Sequence, residues 1–366
     1  MMAGTGPKTF WHNKRVFITG HTGFKGSWLS LWLQTMGADV TGYALPPSTD
    51  PNLFTLANVA ENMTSILLDI CDANALTKAL NEQQPDIVFH LAAQPLVRLS
   101  YEKPAETFAT NIMGTVNLLE AIRTQKSVRA VVIVTTDKCY ENREWLWGYR
   151  ENEAMGGRDP YSSSKGCVEL ISAAYRDSFF RDKGIALATA RAGNVIGGGD
   201  WSEDRLVPDI LKAVETKSKL MIRNPLATRP WQHVLEPLSG YLLLAENLWD
   251  NGDEFASAWN FGPSTDDVRP VKWIIDRLSS YWGSYINWQQ TPGTQPYESR
   301  LLSLDSTKAH TLLGWKTQWD LERTLSEIAA WHKSWLQGKN MRDVCLQQIS
   351  SYSSIFKTEE IKAHAA

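Results

Sequence analysis

Val16-Phe-Ile-Thr-Gly-His-Thr-Gly-Phe-Lys-Gly26 is the stretch whose reading decides the fold. Residues 16–19 are a short apolar run of strand length, and from Gly26 onward Trp28, Leu31, Trp32 and Met36 recur at helical spacing. A strand that passes through a glycine-rich turn into a helix is the first half of a βαβ unit. The pattern then repeats, with strands predicted at 40–43, 66–69, 87–91 and 131–134 and helices at 73–84 and 105–124. Short apolar runs alternating with helices predict an α/β fold built on a doubly wound parallel sheet of Rossmann type, covered on both faces.

Beyond Asp137 the alternation loosens. A loop carrying Trp145 and Trp147 leads to a helix predicted at 161–180 and a strand at 185–190. Loops containing Gly197-Gly-Gly-Asp-Trp201 and Arg229-Pro-Trp-Gln-His233 follow, with a last amphipathic helix at 321–336 and a tail expected to fray past about residue 350. All but three of the 16 tryptophans lie at or after Trp145, which suggests a smaller, mixed C-terminal lobe of different composition. The expected division is a Rossmann domain over 14–193, a lobe over 194–340 with interleaved returns to the first domain, and a tail over 341–366.

Composition narrows the function classes. Lys and Arg number 37 against 40 Asp and Glu, a net charge of −3, which argues against a nucleic-acid footprint while leaving room for a local anion pocket. The four cysteines (Cys71, Cys139, Cys167, Cys345) are far apart and suggest neither a disulfide framework nor a metal site, which fits a reducing cytoplasm. No apolar run approaches the roughly 20 residues of a spanning helix, and residues 1–15 hold no segment of signal-peptide type. A soluble, cytoplasmic protein is expected.

Gly20, Gly23 and Gly26 sit where the first strand opens into the first helix. Glycines there let the backbone approach a pyrophosphate, whose charge meets the helix N-terminus. No Lys or Arg occurs between Lys25 and Lys78, so nothing near the end of the second strand would hold a 2′-phosphate, and NAD is expected rather than NADP. The acidic residue that usually holds the ribose is missing as well: Gly42-Tyr-Ala-Leu45 occupies its place, which predicts a looser hold on the dinucleotide. Tyr161 and Lys165, four apart on one helix face, form a pair in which the cation favours the phenolate. Thr135, Thr136 and Asp137 end an apolar strand shortly before them, and strand ends are where such sheets place ligands.

Gly20-His-Thr-Gly-Phe-Lys-Gly26, His90-Leu-Ala-Ala-Gln94, Asn111, Thr136-Asp-Lys-Cys-Tyr140, Tyr161-Ser-Ser-Ser-Lys165 and Arg191-Ala-Gly-Asn194 together resemble the extended short-chain dehydrogenase/reductase family, over roughly residues 14–335. Within it, Thr136-Asp137-Lys138 and Arg229-Pro-Trp-Gln-His-Val234 are similar to the nucleotide-sugar 4,6-dehydratases that act on CDP-glucose; most relatives acting on other nucleotide sugars have Asp-Glu where this chain has Asp137-Lys138. The resemblance implies an NAD-dependent hydro-lyase that oxidises the sugar at carbon 4, eliminates water across carbons 5 and 6 and returns hydride to carbon 6. The product would be CDP-4-keto-6-deoxyglucose, a precursor of deoxysugars such as those of lipopolysaccharide O-antigens.

It also implies the residue roles. Tyr161 would take the carbon-4 hydroxyl proton, Lys165 would tune that phenol and hold the nicotinamide ribose, and Thr136 would hydrogen-bond the same oxygen. Asp137 would protonate the departing carbon-6 hydroxyl. Lys138 would take the carbon-5 proton, or stay charged and stabilise the enolate while another group acts as base. Cofactor contacts are implied at Gly20, Thr22, Gly23, Phe24, Gly26, Asp69, Ile70, Leu91, Ala92, Ala93 and Thr135, besides Tyr161 and Lys165. Substrate contacts are expected from Gln94, Asn194, Arg205, Arg229 and Arg300, since guanidinium and amide donors suit a diphosphate, with Arg223 a weaker candidate and Trp231 near the base.

His90, His233, Cys139 and Cys167 read as structural. The apolar excess on the helices at 105–124 and 161–180, set beside the family resemblance, implies a homodimer or a dimer of dimers. A 4-epimerase of the same family would share Tyr161 and Lys165 but needs no acid–base pair for elimination. A non-catalytic NAD-binding relative could dispense with Thr136, Tyr161 and Lys165.

Overall fold

The computed structural model describes residues 10–293 and 301–364. The run that opens the chain forms β1 (Arg15–Thr19) at the centre of a seven-stranded sheet. Around it lie β2 (Asp39–Ala44), β3 (Thr64–Leu67), β4 (Ile87–His90), β5 (Ala130–Val134), β6 (Ala186–Arg191) and β7 (Ala258–Asn260), in the order β3-β2-β1-β4-β5-β6-β7. Every pair is parallel. The order reverses between β1 and β4, and the crevice beyond their C-terminal ends is where such sheets bind ligands.

Alternation along the strands divides the core into two layers. Val16, Ile18, Phe89 and Val132 face one layer, covered by α1 (Phe24–Thr35) and a long helix at Leu235–Asn251. Phe17, Val88, Val131 and Ile133 face the other, covered by α2 (Ala73–Gln83), α3 (Gly114–Arg123) and α4 (Pro160–Tyr175). The strands are apolar on both sides because both sides are covered.

Two predicted helices carry an irregularity that the period did not show. The helix of residues 105–124 starts at Pro104 and widens into a π turn at Ala109–Met113 before continuing as α3. That turn buries Asn111, whose Oδ1 accepts from Gln94 N at 2.8 Å and whose Nδ2 donates to Ser164 Oγ at 2.8 Å, tying the loop after β4 to α4. The helix of residues 161–180 also ends in a π turn, Arg176–Phe180. Its start is capped by Asp159, which accepts from Ser162 N at 2.9 Å, with Pro160 in the first turn.

A second lobe packs α5 (Leu206–Thr216), α7 (Val271–Trp282) and α8 (Leu321–Leu336) around Ile210, Ile274, Ile275, Leu325 and Ile328; α6 is the helix Leu235–Asn251 already placed beneath the sheet. The tryptophans do not segregate with this lobe: Trp28, Trp259, Trp315, Trp319 and Trp331 are buried together on the α1 side of the main sheet. Nor does the chain fray at residue 350. α9 (Met341–His364) carries Met341, Cys345, Ile349 and Tyr352 into that same layer, a helical stripe hidden in a polar sequence. The Tyr352 hydroxyl donates to Glu236 Oε2 at 2.7 Å.

One buried ion pair fixes α4 against the sheet. Arg191 at the end of β6 donates to Glu169 Oε2 at 2.7 Å, with both side chains 4% exposed. Thr189 donates to the same oxygen at 2.6 Å, and Thr135 donates to Oε1. Removing one partner of such a pair strands the other charge in a medium that cannot solvate it. Glu169→Ala is therefore expected to lower unfolding free energy by about 3–5 kcal/mol in urea titrations; a loss below about 1 kcal/mol, the scale of an exposed pair, would contradict this assignment.

Candidate active site

Gly20, directly after β1, adopts φ +78°, and a Cβ on it would lie 2.6 Å from the backbone nitrogen of Ala92 in the loop after β4. Gly26 in the first turn of α1 packs still closer, since a Cβ there would come within 2.1 Å of the Gly20 carbonyl oxygen. Gly23 caps α1 with no side chain over the helix end. The turn is thus drawn tight, with helix N–H groups open to an anion, and it fits a dinucleotide pyrophosphate. The loop Leu91-Ala92-Ala93 is held beside it, with the amides of Leu91 and Ala92 both donating to Thr19 Oγ1 at 3.2 Å.

Other expected cofactor contacts are partly committed elsewhere. The Thr22 hydroxyl donates to the Leu45 carbonyl at 2.8 Å, and the Thr135 hydroxyl to Glu169. Asp69 Oδ1 accepts from Cys71 N at 2.9 Å at the end of β3, and Ile70 is buried beneath Gly114. Phe24 is half-buried at the mouth of α1. Beside β2 the place of the missing acidic residue is filled by His21: its ring lies over Gly42, where a Cβ would come within 2.2 Å of it, and its Nε2 pairs with Ser65 Oγ at 2.8 Å. Burial pushes this imidazole down to about 4, so it is neutral.

The catalytic candidates converge on the end of β5. Thr136 Oγ1 donates to Asp137 Oδ1 at 2.9 Å and accepts from Lys138 N at 3.3 Å. The Tyr161 phenol opens on the same cavity as Thr136; burial pushes it up to about 12, opposed by the neighbouring Thr136 hydroxyl and by Arg205. One turn along α4, Lys165 Nζ donates to the Val134 carbonyl at 3.3 Å. Burial brings Lys165 down to about 8, with Glu169 holding its charge. Asp137 is 1% exposed and its Oδ2 has no hydrogen-bond partner among the described residues. Burial raises its pKa, against the pull of Lys138, the Thr136 hydrogen bond, Arg229 and Lys25.

Thr136, Asp137 and Tyr161 share a cavity of about 610 Å³ with Lys138, Asn194, Arg205 and Arg229, with Lys165 behind its wall one turn along α4. Arg205 is braced by Asp200 at 2.9 Å and Arg229 by the Thr228 carbonyl at 2.8 Å. Arg223 also reaches the cavity wall, and Trp231 lines it with its Nε1 donated to the Arg269 carbonyl at 2.9 Å. Gln94 does not reach the cavity: its amide is spent on Leu96 and on Thr107 Oγ1, at 2.9 Å for the latter. Arg300 lies outside the described residues. His90 bridges Thr19 and Thr115, His233 is buried between Trp28 and Trp319, and Cys139 is buried, all in structural positions. No cluster of three metal-ligating side chains occurs among the described residues.

Two participants escaped the sequence reading. Lys25 projects from the glycine turn into the same cavity, its Nζ 6.0 Å from the Tyr241 ring. Burial, with Arg205 and Lys165 nearby, lowers its pKa to about 7. The available signal was a lone cation between Phe24 and Gly26, just ahead of the buried run Gly26–Leu33. Glu169 was signalled by position, since Tyr161, Lys165 and Glu169 fall at i, i+4 and i+8 on one face.

The comparisons with known proteins agree with this geometry. The family model described as GDP-mannose 4,6 dehydratase matches residues 17–328. A CDP-glucose 4,6-dehydratase from Salmonella typhimurium is 53% identical over 352 residues, spanning 95% of this chain and 98% of that protein. The dTDP-glucose 4,6-dehydratase 1 of Escherichia coli is 25% identical, spanning 87% and 93%. Among solved structures, a Thermotoga maritima UDP-glucose 4-epimerase with UDP-glucose superposes with TM-score 0.77 at 23% identity, covering 88% of this chain and 99% of that one. A Bacillus anthracis dTDP-glucose 4,6-dehydratase in complex with NAD gives 0.73 at 19% identity, covering 89% and 99%. These structural likenesses carry the fold, while the family model and the Salmonella relative carry the kinship: the chain belongs to the GDP-mannose 4,6 dehydratase family of nucleotide-sugar dehydratases, within the extended short-chain dehydrogenases/reductases.

Proposed function

We propose that this chain is an NAD-dependent hydro-lyase converting CDP-glucose to CDP-4-keto-6-deoxyglucose and water. The observation that carries the reading is the meeting of the Tyr161 phenol, the Thr136 hydroxyl and the buried Asp137 carboxyl in one cavity with Lys138. A 4-epimerase needs the phenol but has no use for a buried acid beside it. The Salmonella relative, a CDP-glucose 4,6-dehydratase 53% identical to this chain, and this chain's Lys138 after Asp137 support cytidine as the base.

The glycine turn would hold NAD by the α1 amides at its pyrophosphate, with the loop after β4 beside it and Lys165 toward its ribose. Bound NAD supplies a hydride acceptor for carbon 4 and a hydride donor for carbon 6. Tyr161 removes the carbon-4 hydroxyl proton; Lys165, ionised below about 8, supports that transfer and loses its effect as pH rises through this value. Asp137 protonates the departing carbon-6 hydroxyl, and burial raises its pKa in the sense that favours the acid form. Lys138, at the cavity edge, takes the carbon-5 proton made acidic by the ketone. Arg205, Arg229 and Asn194 offer donors to the diphosphate and sugar.

The reading extends to assembly and location. Leu170 on α4, with Met113 and Phe179 in the π turns that flank α3 and α4, is exposed, and these side chains would pair with the same face of a second copy as a homodimer. A reducing cytoplasm agrees with four unpaired cysteines. No helix among the described residues is long and apolar enough to cross a membrane.

Three measurements check these statements. Incubation with CDP-glucose and NAD should yield a keto-sugar with alkaline ultraviolet absorbance; Asp137→Asn should cut its formation by about 10²–10⁴, and Lys138→Met should abolish solvent-deuterium exchange at carbon 5. An epimeric product, or retained exchange in the Lys138 variant, would contradict the assignment. NAD at about a hundred times its Kd should stabilise the chain by about 2.7 kcal/mol against unfolding and should leave Gly26→Ala unaffected; equal stabilisation would remove the glycine turn from the cofactor site. Light scattering at micromolar concentration should give a dimeric mass, and a monomeric one would remove the α3–α4 contact.

A further inference from the structure

The cavity that holds Thr136, Asp137 and Tyr161 continues past the chemistry into the second lobe. Arg205 caps the start of α5, and Asp209 and Ala213 follow it at i+4 and i+8, so the three share one face of that helix; all three line the cavity. The cavity therefore follows α5 for about 12 Å. Arg205 marks the catalytic end, since its charge acts on the Tyr161 phenol. Asp209, one turn on, has other charged neighbours: Asp204, Arg223, Lys212 and Glu203. Past it the walls turn apolar, with Ala213 from α5 and Leu220 and Ile222 from the short strand Leu220–Ile222. A slot of that kind suits the flat ring of a nucleobase, at the far end of a substrate whose sugar lies by Tyr161.

Asp209 is an unexpected residue for a cavity that takes a diphosphate. A carboxylate only accepts hydrogen bonds, and it repels phosphate. The side chain is half-buried and makes no hydrogen bond or ion pair among the described residues. The nearby Arg223 turns instead to the Asp204 carbonyl, to which its Nη2 donates at 3.4 Å. Burial, with Asp204 close by, lifts the Asp209 pKa to about 6, so the group is ionised at pH 8. Covering a charged acceptor with substrate is costly unless the substrate brings it a donor.

The pyrimidines differ in what they bring. Cytosine carries a 4-amino group, which donates, beside acceptors at N3 and O2. Uracil and thymine carry a carbonyl at the same carbon, which accepts, beside a donor at N3. A carboxylate pairs with the first edge and opposes the second. Arg223 and Asn224 line the same part of the cavity and offer donors to N3 and O2. One acceptor flanked by donors is the complement of the cytosine edge. We propose that Asp209 selects the base of the substrate, its carboxylate accepting from the 4-amino group of cytosine and rejecting the carbonyl of uracil or thymine. This role rests on the dehydratase reading and deepens it, since it names the group in this chain that enforces a cytidine substrate.

Calorimetric titration of the NAD-loaded chain at pH 8 tests the assignment with three nucleotides: CDP, UDP and the diphosphate of pyrimidin-2-one riboside, which is the cytosine ring without its amino group. The wild type should bind CDP about 10–100-fold more tightly than either of the others. In Asp209→Asn, which keeps the shape and offers a donor to the uracil carbonyl, CDP should weaken and UDP strengthen until the preference is lost or reversed. Asp209→Ala should bind CDP and the pyrimidinone equally, and Asp209→Ser carries the same test if that variant does not accumulate as folded protein. The kcat/KM ratio of CDP-glucose to UDP-glucose should fall with the binding ratio in Asp209→Asn, mainly through KM. If Asp209 instead holds a ribose hydroxyl or the lobe itself, all three nucleotides weaken in proportion and the preference for CDP survives, which overturns the proposal. Equal affinity of the wild type for CDP and the pyrimidinone overturns it as well. Absence of keto-sugar from CDP-glucose, with the CDP preference present and lost in Asp209→Asn, sinks the dehydratase reading and leaves the role of Asp209 standing.

Discussion

The buried contact between Glu169 and Arg191 is the constraint on which the rest of the site depends. At 2.7 Å, with Thr189 and Thr135 donating to the same carboxylate, it locks α4 to the ends of β5 and β6 at one rotational setting. Glu169 lies two turns below Tyr161, so fixing one end of the face fixes the other. A helix free to rotate by one residue, about 100°, would carry the phenol away from Thr136 altogether. The charge is buried at a cost, and what it returns is position: one face of one helix aimed at one strand end.

Electrostatics within the cavity follow from that placement. Tyr161, Lys165 and Asp137 are all buried, and burial acts on each in the sense that removes charge. The phenol is raised to about 12, the ammonium lowered to about 8, and the carboxyl raised. Lys25 and Arg205 bring further positive charge to the same walls, a setting suited to a substrate that carries a diphosphate and to a transition state that develops negative oxygen.

Much of this was legible in the sequence because it depends on short-range order. Residues 16–26 specify a strand, a turn and a helix through local spacing alone, and strands and helices repeat that signal as far as β6. Tyr161 and Lys165 could be placed together because four residues make one helical turn, and Asp137 because it ends an apolar run. What escaped depends on partners distant in sequence. The packing of Tyr352 against Glu236 cannot be read from a polar tail, and the many tryptophans of the second half return to cover the first sheet. Gln94 turned inward because Thr107 and Leu96 met its amide first, and Lys25 reached the cavity because the glycines around it pull α1 against β4.

The central claim is that the buried Asp137 carboxyl supplies the proton with which the carbon-6 oxygen departs. Infrared difference spectroscopy of the enzyme with NAD, recorded before and after CDP-glucose is added and with Asp137→Asn as the reference, reads that proton directly. The account predicts that a carbonyl stretch of a protonated, buried carboxylic acid belongs to the native chain and is absent from the variant. Identical spectra for the two chains would contradict it.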